Sequence, residues 1–235
     1  MSDMTEKAVK YLSREPVLNA DMLEEIRRGM AETVYAEDDG AIVVMDGGFI
    51  GNVSASEERT REFLRAGLLN TYLVVGHGDG CLKALSESGM FNPTRKCWQV
   101  AWTKDAPDAS GPAEVRKLDL SYAEEVHENY NELADLDDIK ERISAGEMMG
   151  AFMDGRMVGF IGTHSEGAMG MLFVLPEYRR YGVGQQLEYS LICRELSLGR
   201  TPHGQIFEDN EPSIKLAEKL GFEFSGEKMA WFSHK

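Results

Sequence analysis

The stretch M-L-F-V-L-P-E-Y-R-R-Y-G-V-G-Q-Q-L-E-Y-S-L, Met171 to Leu191, decides how this sequence folds. An apolar, β-rich run ends at Pro176, which has no backbone N–H to donate to a ladder. Arg179 and Arg180 follow, then Gly182, Val183 and Gly184, then a helical pattern that continues to about Gly199. Strand, glycine turn and helix in that order predict an α/β element. The glycines free the backbone for unusual angles and let a ligand come close. The first N–H groups of a helix have no partner inside it and lie at the positive end of its dipole. With the two arginines, this makes an anion site suited to a pyrophosphate. The sequence holds no G-x-x-x-x-G-K-[ST], and G-x-G alone is a weak signal for the generic nucleotide folds.

The same patterns extend outward. GMLFVL, Gly170 to Leu175, is the strand that feeds the turn. MMGAFMDGRMVGFIGTH holds two apolar strands around the hairpin signal Asp154-Gly155. SYAEEVHENYNEL and DLDDIKERISAG predict helices, with Asp137 and Glu141 as first-turn carboxylates and Gly146 as a stop. VRKLDL opens this half as a strand. After the long helix, GQIF is a strand, EPSIKLAEKLG a helix stopped by Gly221, and FEFSGEKMAWFS a closing hairpin. Upstream, the helical pattern runs from Glu6 to about Gly29. AIVVM, GFIGNVSA, TYLVV and CWQVAW predict strands, and EERTREFLRAGL and CLKALSESG helices. GHGDG, Gly76 to Gly80, lacks basic residues and reads as a loop. Thr103 to Val115 concentrates Pro, Gly, Ser and Asp, so a boundary is expected there, between residues 1–108 and 113–235. Both halves mix strands and helices, which predicts the α/β (α+β) class with a mixed central sheet flanked by helices.

A formal net charge of -15 opposes nucleic-acid and anionic-lipid binding, because both need a basic surface. It suits a cationic or amine substrate, and equally an ordinary acidic surface. Cys81, Cys97 and Cys193 are not closely spaced, so neither a disulfide framework nor a zinc site is expected. MSDMTEKAVKYLSREP at the start has no apolar core, and no run approaches the ~20 residues of a membrane span. The expected location is cytoplasmic.

V-L-P-E-Y-R-R-Y-G-V-G resembles the acyl-CoA-binding turn of the GNAT acetyltransferase superfamily, where [RQ]-x-x-G-x-[GA] follows a strand ending in V-x-P. Arg179, Gly182 and Gly184 stand at the pattern's places. Downstream, NEPSIKLAEKLGF, Asn210 to Phe222, is similar to the superfamily's second motif. The resemblance covers about Val115 to Lys235. A wider likeness links the chain to a two-lobed group that includes glycine N-acyltransferase-like proteins, whose N-terminal lobe is a degenerate copy of the fold. Residues 1–108 carry no Arg-x-x-Gly-x-Gly, so no CoA is expected there.

The resemblance implies direct transfer of an acyl group from acetyl-CoA or a related acyl-CoA to an amine, with no metal. The strand around Phe173 and Val174 would offer backbone groups to the pantetheine, although plain core strand explains both residues too. Arg179, Arg180, Tyr181, Gly182, Val183 and Gly184 would hold the cofactor. Asn210 and Ser213 would contact it, or only cap a helix. Glu166 is the candidate general base, where the family often places a glutamate, and a turn carboxylate is the plain alternative. His164 lies on the same strand face and is the rival. Many relatives carry a Tyr seven residues after the Asn as general acid, and Ala217 stands there instead. The expected acceptor is a primary amine of a small molecule or amino acid, and a homodimer stays open as an assembly state. A CoA-binding sensor without catalysis is the alternative function.

Overall fold

The computed structural model describes residues 2–130 and 135–235. Packing divides the chain into two units, Met1–Ala101 with Gln205–Lys235, and Trp102–Gly204. The segments expected from composition, 1–108 and 113–235, do not coincide with these units, because the last residues pack with the first ones.

In chain order the elements are α1 (Asp3–Leu12), α2 (Ala20–Arg27), β1 (Ala31–Glu37), β2 (Gly40–Met45), β3 (Ile50–Ala55), α3 (Glu57–Ala66), β4 (Leu73–His77), α4 (Asp79–Glu87) and β5 (Lys96–Ala101). Then come β6 (Glu114–Lys117), α5 (Ala123–Asn129), α6 (Leu136–Ser144), β7 (Met148–Met153), β8 (Arg156–Thr163), β9 (Met169–Val174) and α7 (Val183–Ser197). The chain closes with β10 (His203–Phe207), α8 (Glu211–Leu220) and β11 (Glu223–Ser233).

In the first unit the strands run β1-β2-β3-β4-β11-β5, with β3 parallel to β4 and β11 antiparallel to both its neighbours. Residues alternate across each strand, so two cores form. Ile42, Val53, Val74 and Phe232 pack with Leu82 and Leu85 of α4 on one face. Ala41 and Val43 pack with Ala8, Leu12 and Met22 on the other. The helical pattern from Glu6 to Gly29 is two helices rather than one. Pro16 lies in the break, where its ring and missing N–H would disrupt a continuous helix. FEFSGEKMAWFS is one strand, not a hairpin. Gly226 lies in a register shift against β5 between Phe224 and Lys228, and both edges of β11 are taken by partner strands.

In the second unit β9, β8, β7 and β6 pair antiparallel in that order. Asp154 and Gly155 have φ of 51 and 78 and form the expected hairpin turn. α6 starts at a capping box, Asp135 with Asp138, so Asp137 lies in the first turn. Glu141 does not lie there: it is further along and pairs with Arg142 at 2.6 Å. The helix expected over SYAEEVHENYNEL is realised as α5, and its last residues, 131–133, lie outside the described residues.

Candidate functional site: a strand bulge, a glycine turn and a helix N-terminus

Strand β9 carries a bulge. Its register with β8 passes from Phe160↔Phe173 to Gly162↔Gly170, one residue longer on β9. Met171 takes up the difference at φ 52, an unusual angle for a residue with a side chain. Its side chain is buried in the core with Phe160, and Phe173 stacks on Phe160 at 5.4 Å. On the other side β9 meets β10 in parallel at Gly204↔Met169. The half-buried Phe173 and Val174 follow the bulge and lead to the turn.

Pro176–Tyr178 forms a 3-10 turn. Arg179 folds back, and its Nε donates to Val174 O at 2.9 Å, which ties the turn to the strand end. Arg180 has φ 67 and is exposed, as is Tyr181 at 70 %. Gly182, at φ 90, is the N-cap of α7 and brings no side chain to it. A Cβ on Gly184 would lie 3.7 Å from Val174 Cγ2, so the helix starts against the strand it follows. Val183 is buried beneath. The turn therefore presents first-turn N–H groups beside two exposed arginines, an arrangement that attracts anions. Gln186 anchors the helix from behind: Nε2 donates to Ala113 O at 2.8 Å and Oε1 accepts from Ala113 N at 3.0 Å.

The far end of α7 is held by charge. Glu147 accepts from Arg194 at 2.8 Å and from Thr163 Oγ1 at 3.0 Å, and Arg200 reaches both Glu147 and Glu195. Burial works against the Glu147 carboxylate, but the Arg194 hydrogen bond and the charges of Arg194 and Arg200 hold its pKa below the usual range. Thr163 ends β8, so this cluster fixes the base of the next turn. There His164 N donates to Ala168 O at 2.9 Å and Gly167 N to His164 O at 3.0 Å. The His164 ring lies against Gly170, where a Cβ would come within 2.6 Å of Nε2. Glu166 is half-buried in the turn, and Ser165 Oγ donates to it at 3.4 Å.

Asn210 and Ser213 belong to the first unit. Asn210 caps α8, with Oδ1 accepting from Ser213 N at 3.3 Å, which is the capping reading of both residues. Ala217 is buried in that helix. The buried thiols of Cys81 and Cys97 are pushed up to about 11 and about 12 by desolvation, far from a nucleophile's range.

One acid was not anticipated. Glu188 lies one helical turn past Gly184, on the same stripe of α7. It is half-buried, and desolvation pushes its carboxyl up to about 7.

Residues 113–222 match the model of the Acetyltransferase (GNAT) family. This segment is a GNAT acetyltransferase domain. The chain is accordingly an acyltransferase enzyme. Among curated proteins none matches it in sequence. Solved structures share the fold of this chain. A Drosophila protein is 18% identical with a TM-score of 0.63, over 83% of this chain and 74% of its own. A GCN5-related N-acetyltransferase from Sphaerobacter thermophilus is 16% identical with a TM-score of 0.58, over 98% of this chain and 93% of its own. An acetyltransferase from the GNAT family of Colwellia psychrerythraea is 12% identical with a TM-score of 0.55, over 97% of each chain. Among the described residues, no group of three or more His, Cys, Asp or Glu could hold a metal ion. No described helix is long and apolar enough to cross a membrane.

Proposed function

We propose that this enzyme moves an acyl group from acetyl-CoA, or a related acyl-CoA, to a primary amine of a small molecule or amino acid. The observation that carries the reading is the α7 N-terminus. Gly182, at positive φ, opens it without a capping side chain, and Arg179 and Arg180 flank it. These residues, with Tyr181, Val183 and Gly184, bind the pyrophosphate of CoA. The bound thioester supplies the activated acyl carbonyl.

The β9 backbone around Phe173 and Val174 receives the pantetheine, and a bulge such as that at Met171 leaves its extra residue out of the ladder, free to offer a backbone N–H. Such a donor can stabilise the carbonyl oxygen as charge builds on it. The amine nitrogen bonds to the carbonyl carbon and the C–S bond breaks. Glu166 takes the proton that the amine loses, with His164 as the alternative. The thiolate leaves without a side-chain acid and takes its proton from water, since Ala217 stands at the usual acid's place. A thiol with an ordinary pKa of ~8.5 leaves readily.

The sequence division of the same reading, 1–108 as a degenerate GNAT-like lobe and 113–235 as the acyl-CoA-binding domain, follows the glycine N-acyltransferase-like group and differs from the packing, which places 205–235 with the first unit. The test is an assay of free-thiol release from acetyl-CoA across a panel of primary amines. Amine-dependent release with a matching N-acetyl product is expected. CoA binding with no transfer to any amine would leave a binding module instead.

A further inference from the structure

One face of the first unit's sheet is polar where a core face is normally apolar. Asn52 on β3, His77 on β4, Gln99 on β5, Gln205 on β10 and Trp231 on β11 share the side on which Val75, Cys97 and Met229 cluster. Ala101, on the same side of β5, packs with Ala20 of α2. α2 covers this side and brings Asp21, Glu24 and Glu25, each 3 % exposed or less. Buried polar groups on this scale are expected to be mutually bonded.

Nearly all of them are. Asn52 Nδ2 donates to Glu25 Oε2 at 3.0 Å. His77 Nε2 faces Asp21 Oδ2 at 2.9 Å. Gln205 Nε2 donates to Asp21 Oδ2 at 3.4 Å, and its Oε1 accepts from Trp231 Nε1 at 2.7 Å. Gln99 is the exception. It is fully buried, and neither its Nε2 nor its Oε1 has a partner among the described residues. Its direction is fixed by register. Glu208 N donates to Lys96 O and Trp102 N to Pro202 O, an antiparallel pattern that sets Gln99 directly across from Gln205. The unsatisfied amide therefore lies on the same face as Gln205, opposite the residue whose own amide bonds Asp21. Gln205 and Trp231 are only half-buried, so the network reaches the surface beside them.

We propose that Gln99, Gln205 and Asp21 form a recognition site for the ammonium group of a small amine. Gln99 Oε1 and the Asp21 carboxylate accept from the cation, and the chain's charge of -15 favours its arrival. A nitrogen held this way keeps its protons and is not a nucleophile. It is a recognition group, distinct from any nitrogen that is acylated, and it makes a compound with at least two amino groups the substrate class. This assignment of a substrate rests on the acyltransfer reading, whereas the binding does not.

The test uses the whole chain without acyl-CoA, titrated by calorimetry with 1,4-diaminobutane and with its neutral counterpart 1,4-butanediol. Saturable binding of the diamine alone is expected. Gln99→Leu should weaken it roughly tenfold or more, the loss expected for a hydrogen bond to a charged group. Gln205→Met, at a half-buried position, should weaken it in the same direction and carries the test if Gln99→Leu does not fold. No saturable diamine binding by the parent, or parent affinity in the folded variants, would overturn the site. Acetyl-CoA titrated into the same samples separates the two readings: failure there with diamine binding intact removes the acyltransfer reading and leaves the site.

Discussion

Glu227 closes the N-terminus of α4: its Oε2 accepts the backbone N–H of Asp79 at 2.8 Å. A Cβ on Gly78 would meet the same oxygen at 2.8 Å. α4 follows β4 across a glycine turn, as α7 follows β9. In α4 the positive end of the helix is taken by the chain's own carboxylate, and in α7 it is open. Acetyl-CoA is therefore expected to bind with a stoichiometry of one per chain, and Glu227→Ala should leave the affinity of that site unchanged. Calorimetry measures both, and a second acetyl-CoA bound by the parent chain would contradict the relationship.

Glu166→Gln keeps the side chain's shape and removes the proton acceptor. Acetyl-CoA affinity should be retained, while the transfer rate at neutral pH falls by roughly 10²–10⁴. The deficit should narrow at high pH, where more of the amine is already neutral. A pH–rate profile identical to the parent's would move the role to His164.

Glu188 makes stability depend on pH. Its folded-state pKa of about 7 lies above the ordinary glutamate value, so its contribution is complete in acid and declines as pH rises from ~4.3 to about 7. Glu188→Gln removes that decline. It should be more stable than the parent at pH 8 by roughly 1–2 kcal/mol, allowing for partial solvent screening, and the advantage should vanish below ~4.3. Denaturant unfolding at the two pH values checks the sign.

His77 acts through a buried pair. Nδ1 faces Val53 O at 3.2 Å, and a carbonyl can only accept, so that nitrogen carries a proton. Nε2 faces Asp21. Burial pulls the ring's pKa down, but the Asp21 charge and the hydrogen bonds to Asp21 and Val53 outweigh it and raise the value. The resulting stability is complete below the ordinary histidine value of ~6.5 and is lost as pH rises through the raised one. His77→Gln should cost about 3–5 kcal/mol near pH 6 and flatten the alkaline loss. Equal unfolding midpoints for parent and variant at pH 6 would refute the charged pair.

The strand–turn–helix at Met171 to Leu191 was legible because proline, arginine and glycine each impose a local constraint that packing does not override. The hairpin at Asp154-Gly155 was legible for the same reason. β11 was not, since Gly226 reads as a turn until β4 and β5 are seen to claim both edges of the strand. β1 was missed as well: its alternation of half-buried and exposed residues gives no apolar run. Among site residues, the turn follows from motif and geometry together. Gln99 and Glu188 could not be found by motif, because what sets them apart is burial without a partner or in a dry place, and burial is a property of the fold.

The central claim is that the α7 N-terminus binds the pyrophosphate of an acyl-CoA. Gly184 offers the most direct test, because its φ is ordinary and an added Cβ would make only van der Waals contact with Val174. Gly184→Val should fold, yet a branched side chain there obstructs the close approach of the phosphates. Calorimetric titration with acetyl-CoA is expected to show one site in the parent and an affinity at least tenfold weaker in the variant, about 1.4 kcal/mol or more. A folded Gly184→Val chain that binds acetyl-CoA as the parent does would contradict the assignment.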